Sequence, residues 1–177
     1  YTRLSESHPW ELKVGGKYYV TRNGSSLLAF RIPKADFAGF MISASHSDSP
    51  TFHIKENAQL KGPEAYARIN TEGYGGMLCA PWLDRPLTVA GRVLVKVGDA
   101  IETRLVYVDR DLLLIPNVAI HMNREANSGL KYDQKTDTIP LMGMGQEEGT
   151  FRSIVAEAAG CAPGDILGTD LYLCLRQ

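Results

Sequence analysis

The sequence predicts a strand-rich α/β chain. Three observations carry that prediction. Asn23-Gly24 separates two runs with strand character, Gly98-Asp99 separates two more, and only residues 147–159 show sustained helical periodicity. Glycine and asparagine tolerate the positive φ that tight hairpin turns require, so each dipeptide marks a reversal rather than a helix.

Taken in order, Lys17-Tyr-Tyr-Val-Thr-Arg22 and Ser25-Ser-Leu-Leu-Ala-Phe-Arg-Ile32 form the arms of the first hairpin, and Pro33 closes the second arm. Asp36-Phe37 suits a short helix or turn. Phe40-Met-Ile-Ser-Ala-Ser45 is an apolar run of the kind found in a buried strand. Pro50 interrupts, and Thr51-Phe-His-Ile-Lys55 reads as another strand. Character changes over 60–86, which carry Gly62-Pro63 and the turn-rich Gly73-Tyr-Gly-Gly76, so a domain boundary is expected near 60. The second hairpin joins Leu87–Val97 to Ile101–Val108, and Leu112–Ile115 is a short strand before Pro116. In the helix, Phe151, Ile154, Val155 and Ala158 fall on one face, and Gly160 stands where a left-handed C-terminal cap would sit. Leu171–Leu175 is a last strand.

Composition narrows the function. The chain has 177 residues, 44% hydrophobic and 22% charged, with a formal net charge of -1. That is the balance of a globular domain, and no basic excess points to nucleic acid or an anionic membrane. No apolar run approaches the ~20 residues of a membrane helix. Three scattered cysteines, Cys79, Cys161 and Cys174, argue against a disulfide framework and for a reducing, cytoplasmic setting.

The chemically informative stretch is Ser43-Ala-Ser-His-Ser-Asp-Ser-Pro50. A histidine at the end of a buried strand can project into a site at the strand's carboxyl edge. Asp48, two residues on, can hold the second ring nitrogen, as carboxylates do for metal-bound imidazoles. The same spacing also suits an ordinary surface histidine beside a turn aspartate. His53 decorates a strand, His8 lies near an exposed end, and His121 opens a polar loop with either a structural or a functional part. Glu147-Glu148 is rejected as an acid pair because both fall at the start of the helix, where carboxylates complement the dipole. A hydrolytic zinc site needs about three protein ligands, and the sequence offers one convincing ligand, His46. Either the chain is no metalloenzyme or its other ligands lie on polypeptide outside these residues.

Four stretches, in order, resemble the aspartyl aminopeptidase family of dizinc metallopeptidases. They are Gly15-Gly-Lys-Tyr-Tyr-Val-Thr-Arg-Asn-Gly-Ser-Ser26; Ser45-His-Ser-Asp-Ser-Pro50; Tyr74-Gly-Gly-Met-Leu78 with Trp82-Leu-Asp-Arg-Pro-Leu-Thr-Val-Ala-Gly-Arg92; and Ile115-Pro-Asn-Val-Ala-Ile-His121. The resemblance implies that His46 is a zinc ligand, that Asp48 orients it, and that Asp48 and His121 belong to the catalytic apparatus. His121 would serve the active site of a neighbouring subunit. It implies an incomplete catalytic α/β domain from 1–60, an inserted β-rich dimerisation domain over 61–165, and a return into the catalytic domain over 166–177. The implied cofactor is a pair of zinc ions, the substrate a peptide cleaved at its N-terminal bond, and the assembly a homo-oligomer built from dimers into a dodecamer. Neither nucleic acid nor membrane is an expected partner. Ser47 stands where many relatives have threonine. With the other ligands missing from these residues, the chain is expected to be a fragment, inactive alone. The alternative function is a non-catalytic self-assembly module.

Overall fold

A computed structural model describes residues 1–34, 36–63 and 65–176. They form two compact units, Tyr1–Ser49 and Pro50–Gln177. No helix among the described residues is long and apolar enough to cross a membrane.

The first unit is a three-stranded sheet of order β1-β2-β3, with β1 (Thr2–Arg3) parallel to β2 (Lys17–Arg22) and β2 antiparallel to β3 (Ser26–Arg31). The Asn-Gly hairpin forms as expected. Asn23 and Gly24 take φ of 52° and 70°, and the Ser25 N–H closes the turn on the Arg22 carbonyl at 3.2 Å. Tyr18 is buried against Phe30, and its hydroxyl accepts the Lys13 N–H at 2.8 Å. Phe40–Ser45 is not a strand here, and Phe40, Met41 and Ile42 are exposed. An apolar run becomes a strand only beside another strand's unpaired backbone groups, and none of the three strands pairs with it. Among the described residues no helix forms around Asp36-Phe37 either.

The second unit is a fully antiparallel six-stranded sheet. It comprises β4 (Thr51–Lys61), β5 (Tyr66–Tyr74), β6 (Leu87–Val97), β7 (Ala100–Tyr107), β8 (Leu141–Met144) and β9 (Ile166–Leu175), in the order β7-β6-β9-β4-β5-β8. The Gly98-Asp99 turn is a two-residue hairpin pairing Val97 with Ala100. Alternation puts Leu87, Val89, Val93 and Val95 of β6, Phe52 and Ile54 of β4, and Leu171 and Leu173 of β9 in one core. Burying a side chain the size of Phe52 stabilises by about 1.5–3 kcal/mol. Helix α1 (Thr150–Ala159) covers this core with Phe151, Val155, Ala156 and Ala159, and Gly160 takes the expected left-handed cap at φ 65°.

Several expectations shift. The helix begins at Thr150 rather than Glu147, because Gly149 precedes it at φ 84°. Glu147 and Glu148 therefore lie outside the helix. Leu112–Ile115 makes only isolated bridges, to Leu83, Leu87 and Leu141. By packing, the residues group as Tyr1–Ser49 and Pro50–Gln177, and residues 60 and 165 lie within or beside the sheet of the second unit.

The β6–β9 contact is closest at Gly91, whose φ is 153° and where an added Cβ would stand 2.2 Å from the Asp170 carbonyl oxygen. Gly91→Ala is expected to cost about 3 kcal/mol through overpacking. Gly98→Ala, with φ 60° and open space around it, should cost about 1–2 kcal/mol for the left-handed backbone alone. Urea unfolding midpoints compare the two, and equal losses would show that the strands separate easily at Gly91.

Candidate metal centre

His46 lies in the segment without regular secondary structure that follows β3 in the first unit. Its Nδ1 is 2.9 Å from Asp48 Oδ1 and 2.9 Å from the Asp48 carbonyl oxygen. Both partners are acceptors, so Nδ1 carries the proton and donates it, which leaves the Nε2 lone pair directed away from Asp48. The ring is 79% exposed. The side-chain hydrogen bond to Asp48, with its backbone bond and charge, raises the His46 pKa above the ordinary histidine value. Ser47 is tied back to the first hairpin by a hydroxyl donating to the Ser25 carbonyl at 3.3 Å. The expected His46–Asp48 pair is thus assembled by local chain geometry.

His121 belongs to the second unit and is exposed on a turn-rich loop between Val118, Ile120 and Met122, all also exposed. The start of that loop is anchored by Asp84. The Asp84 side chain accepts the Asn117 N–H at 2.8 Å, and its own N–H donates to the Ile115 carbonyl at 2.9 Å. Asp84 adopts φ 56°, a left-handed conformation uncommon outside glycine, asparagine and aspartate. Its positioning part was not readable from the sequence, where Asp84 appears only inside the Trp82–Arg92 motif.

His53 is a strand residue, as expected. Its Nδ1 is 3.2 Å from Glu72 Oε1, its Nε2 is 3.8 Å from Asp170 Oδ1, and its ring lies 5.0 Å from that of Tyr172. Arg92 Nε donates to Asp170 at 2.9 Å. This is a satisfied cross-strand network on one sheet face. His8 is exposed beside Ser7. The three cysteines are free, and burial pushes the Cys174 thiol up, away from the reactive thiolate.

Among the described residues, no three His, Cys, Asp or Glu side chains are placed to hold a metal ion. The donor chemistry at His46, one imidazole with a carboxylate on Nδ1 and a free Nε2, fits a single metal ligand with its orienting partner. It does not by itself make a site.

The sequence model of the aminopeptidase I zinc metalloprotease (M18) family matches residues 1–177. The chain belongs to the M18 family. It is 41% identical over 181 residues to a probable M18 family aminopeptidase 2 of Clostridium acetobutylicum, an alignment covering 98% of this chain and 42% of that protein. Among solved structures, it superposes on mApe1 of Chaetomium thermophilum with a TM-score of 0.81 at 30% identity, covering all of this chain and 44% of the other. The mApe1 dodecamer of S. cerevisiae matches with a TM-score of 0.72 at 25% identity, covering 100% of this chain and 41% of that one. This M18 chain therefore spans less than half the length of the relatives it matches.

In the metal-free M18 chain, Asp48→Ala should bring the His46 pKa down toward the ordinary histidine value, because the dominant raising contact is removed. NMR titration of the imidazole reads this directly. An unchanged midpoint would show that the Asp48 contact does not hold in solution.

Proposed function

We propose that this chain supplies the first zinc ligand and part of the assembly machinery of a dizinc aminopeptidase that hydrolyses the N-terminal peptide bond of peptides. The observation that carries the reading is the His46–Asp48 pair, which fixes one imidazole nitrogen and frees the other. In the complete enzyme His46 would hold zinc through Nε2, with Asp48 as its positioning residue. Zinc supplies Lewis acidity and a water of lowered pKa when bound. Asp48 keeps the proton on Nδ1, so that the ring presents its lone pair and cannot rotate.

His121 would reach the active site of a neighbouring subunit, supported by its exposure among apolar loop residues and by the anchoring of the loop at Asp84. Self-association is supported by Ile101, Leu105 and Tyr107, which alternate along edge strand β7 and leave one face apolar and exposed. By analogy with the S. cerevisiae dodecamer, dimers of this chain would build a dodecamer. On this reading residues 1–60 belong to the catalytic domain, 61–165 form the inserted dimerisation domain, and 166–177 return into the catalytic domain. The free cysteines suit a cytoplasmic enzyme. The 177 residues alone would be inactive, because the described residues bring together fewer ligands than a zinc site requires.

The test is made in the complete enzyme. His46→Ala should lose both zinc and aminopeptidase turnover; full zinc content with an unchanged rate would sink the assignment. Asp48→Ala should weaken zinc about 10–100-fold, read by competition with a chelator. His121→Ala should lose turnover while keeping zinc and fold, and an unchanged kcat would refute its part in the reaction. Hydrolysis of an aminoacyl chromogenic substrate by the 177 residues alone would refute the claim that they are inactive.

A further inference from the structure

A cleft of about 620 Å³ opens in the second unit, where β4 and β5 meet the loop at 131–135. That volume lies within the range of small-ligand sites, but its character is unusual. Lys55 from β4 and Lys131 and Lys135 from the loop all line it, three of the chain's eight lysines in a molecule of net charge -1. None of the three has an ion-pair partner among the described residues, where the ion pairs are made by arginine and histidine.

Two carboxylates share the cleft, and neither forms an ion pair with a lysine among the described residues. Glu72 Oε1 is 3.2 Å from His53 Nδ1, and Asp133 Oδ1 accepts the Lys135 backbone N–H at 2.9 Å. The lining therefore sets three lysines against two carboxylates, a net positive surface. A small ligand carrying negative charge and several acceptor oxygens can pair with the lysines, which an apolar ligand cannot.

The loop that presents two of the lysines is internally braced. Asp133 N–H donates to Asp137 Oδ2 at 2.8 Å, Asp137 N–H donates to the Asp133 carbonyl at 2.7 Å, and Thr138 Oγ1 donates to the Gln134 carbonyl at 2.9 Å. Gln134 in turn stands against Gly73 of β5, where an added Cβ would come within 2.1 Å of its Oε1. Gly73 therefore lets the loop sit close on the strand, so the lysine-bearing backbone is held in place before any ligand arrives.

We propose that this cleft is a binding site for a small dianion, phosphate or a dicarboxylate, held by Lys55, Lys131 and Lys135. The proposal stands or falls independently of the aminopeptidase reading.

Isothermal titration of the complete, zinc-loaded enzyme with inorganic phosphate and with succinate, at ionic strength matched by sodium chloride, tests it. Saturable binding of at least one of the two is expected. Phosphate alone would identify a tetrahedral ligand and succinate alone a dicarboxylate. Lys131→Ala/Lys135→Ala should weaken that binding at least about tenfold, since two charge-assisted contacts are lost. Lys55→Gln should weaken it as well, and circular dichroism confirms that each variant is folded. Should the double variant not fold, Lys55→Gln and Lys131→Gln decide the matter. No saturable heat from either anion up to about 10 mM, well above a millimolar Kd, overturns the proposal. So does phosphate binding of undiminished affinity in the lysine variants, which would place the anion at the metal instead.

Discussion

The fold of the second unit depends on β9. Two hairpins close early in the chain, β4 with β5 and β6 with β7, and each could satisfy only half of its backbone groups. β9 arrives about sixty residues after β7 and enters between them, pairing with β6 from Leu87↔Leu175 to Val95↔Ile166 and with β4 at His53↔Tyr172. A single sheet, and so a single buried face, exists because of that insertion. The close approach at Gly91 and the buried Leu171 and Leu173 follow from it, as does the surface on which α1 packs. The contact is also the most expensive in chain entropy, since it closes the longest loop in the unit.

The same sheet separates two kinds of polar chemistry. On one face His53, Glu72, Asp170 and Arg92 satisfy each other across four neighbouring strands. Beside β5, where β8 pairs only over Tyr66–Arg68, the loop at 131–135 lines a cleft with β4 and β5 and brings lysines that form no ion pair among the described residues. Glu72 lies at the junction, paired with His53 and lining the cleft.

His46 and His121 are positioned by different means. His46 is oriented by a residue two positions away, so its geometry is a property of a few consecutive residues. His121 rides on a loop whose start is held by Asp84, 33 residues from the Asn117 N–H it accepts. The first arrangement depends only on the conformation of residues 46–48. The second requires the sheet and the Leu83↔Ile115 bridge to be in place.

That difference explains how much could be read before folding was considered. The Asn23-Gly24 and Gly98-Asp99 turns, the αL cap at Gly160, the strand placement of His53 and the His46–Asp48 contact all appear as expected, because each follows from φ preferences or from side chains a few residues apart. Phe40–Ser45 was misread as a strand and Leu112–Ile115 became isolated bridges, because a strand is defined by a partner that no local pattern names. The division at Ser49/Pro50, the seating of β9 between the hairpins, the anchoring of the His121 loop by Asp84 and the gathering of three lysines at one cleft all join residues far apart in the chain. Such contacts are decided by which buried face and which free strand edge remain available once the local pieces have formed, and a linear reading carries no measure of that.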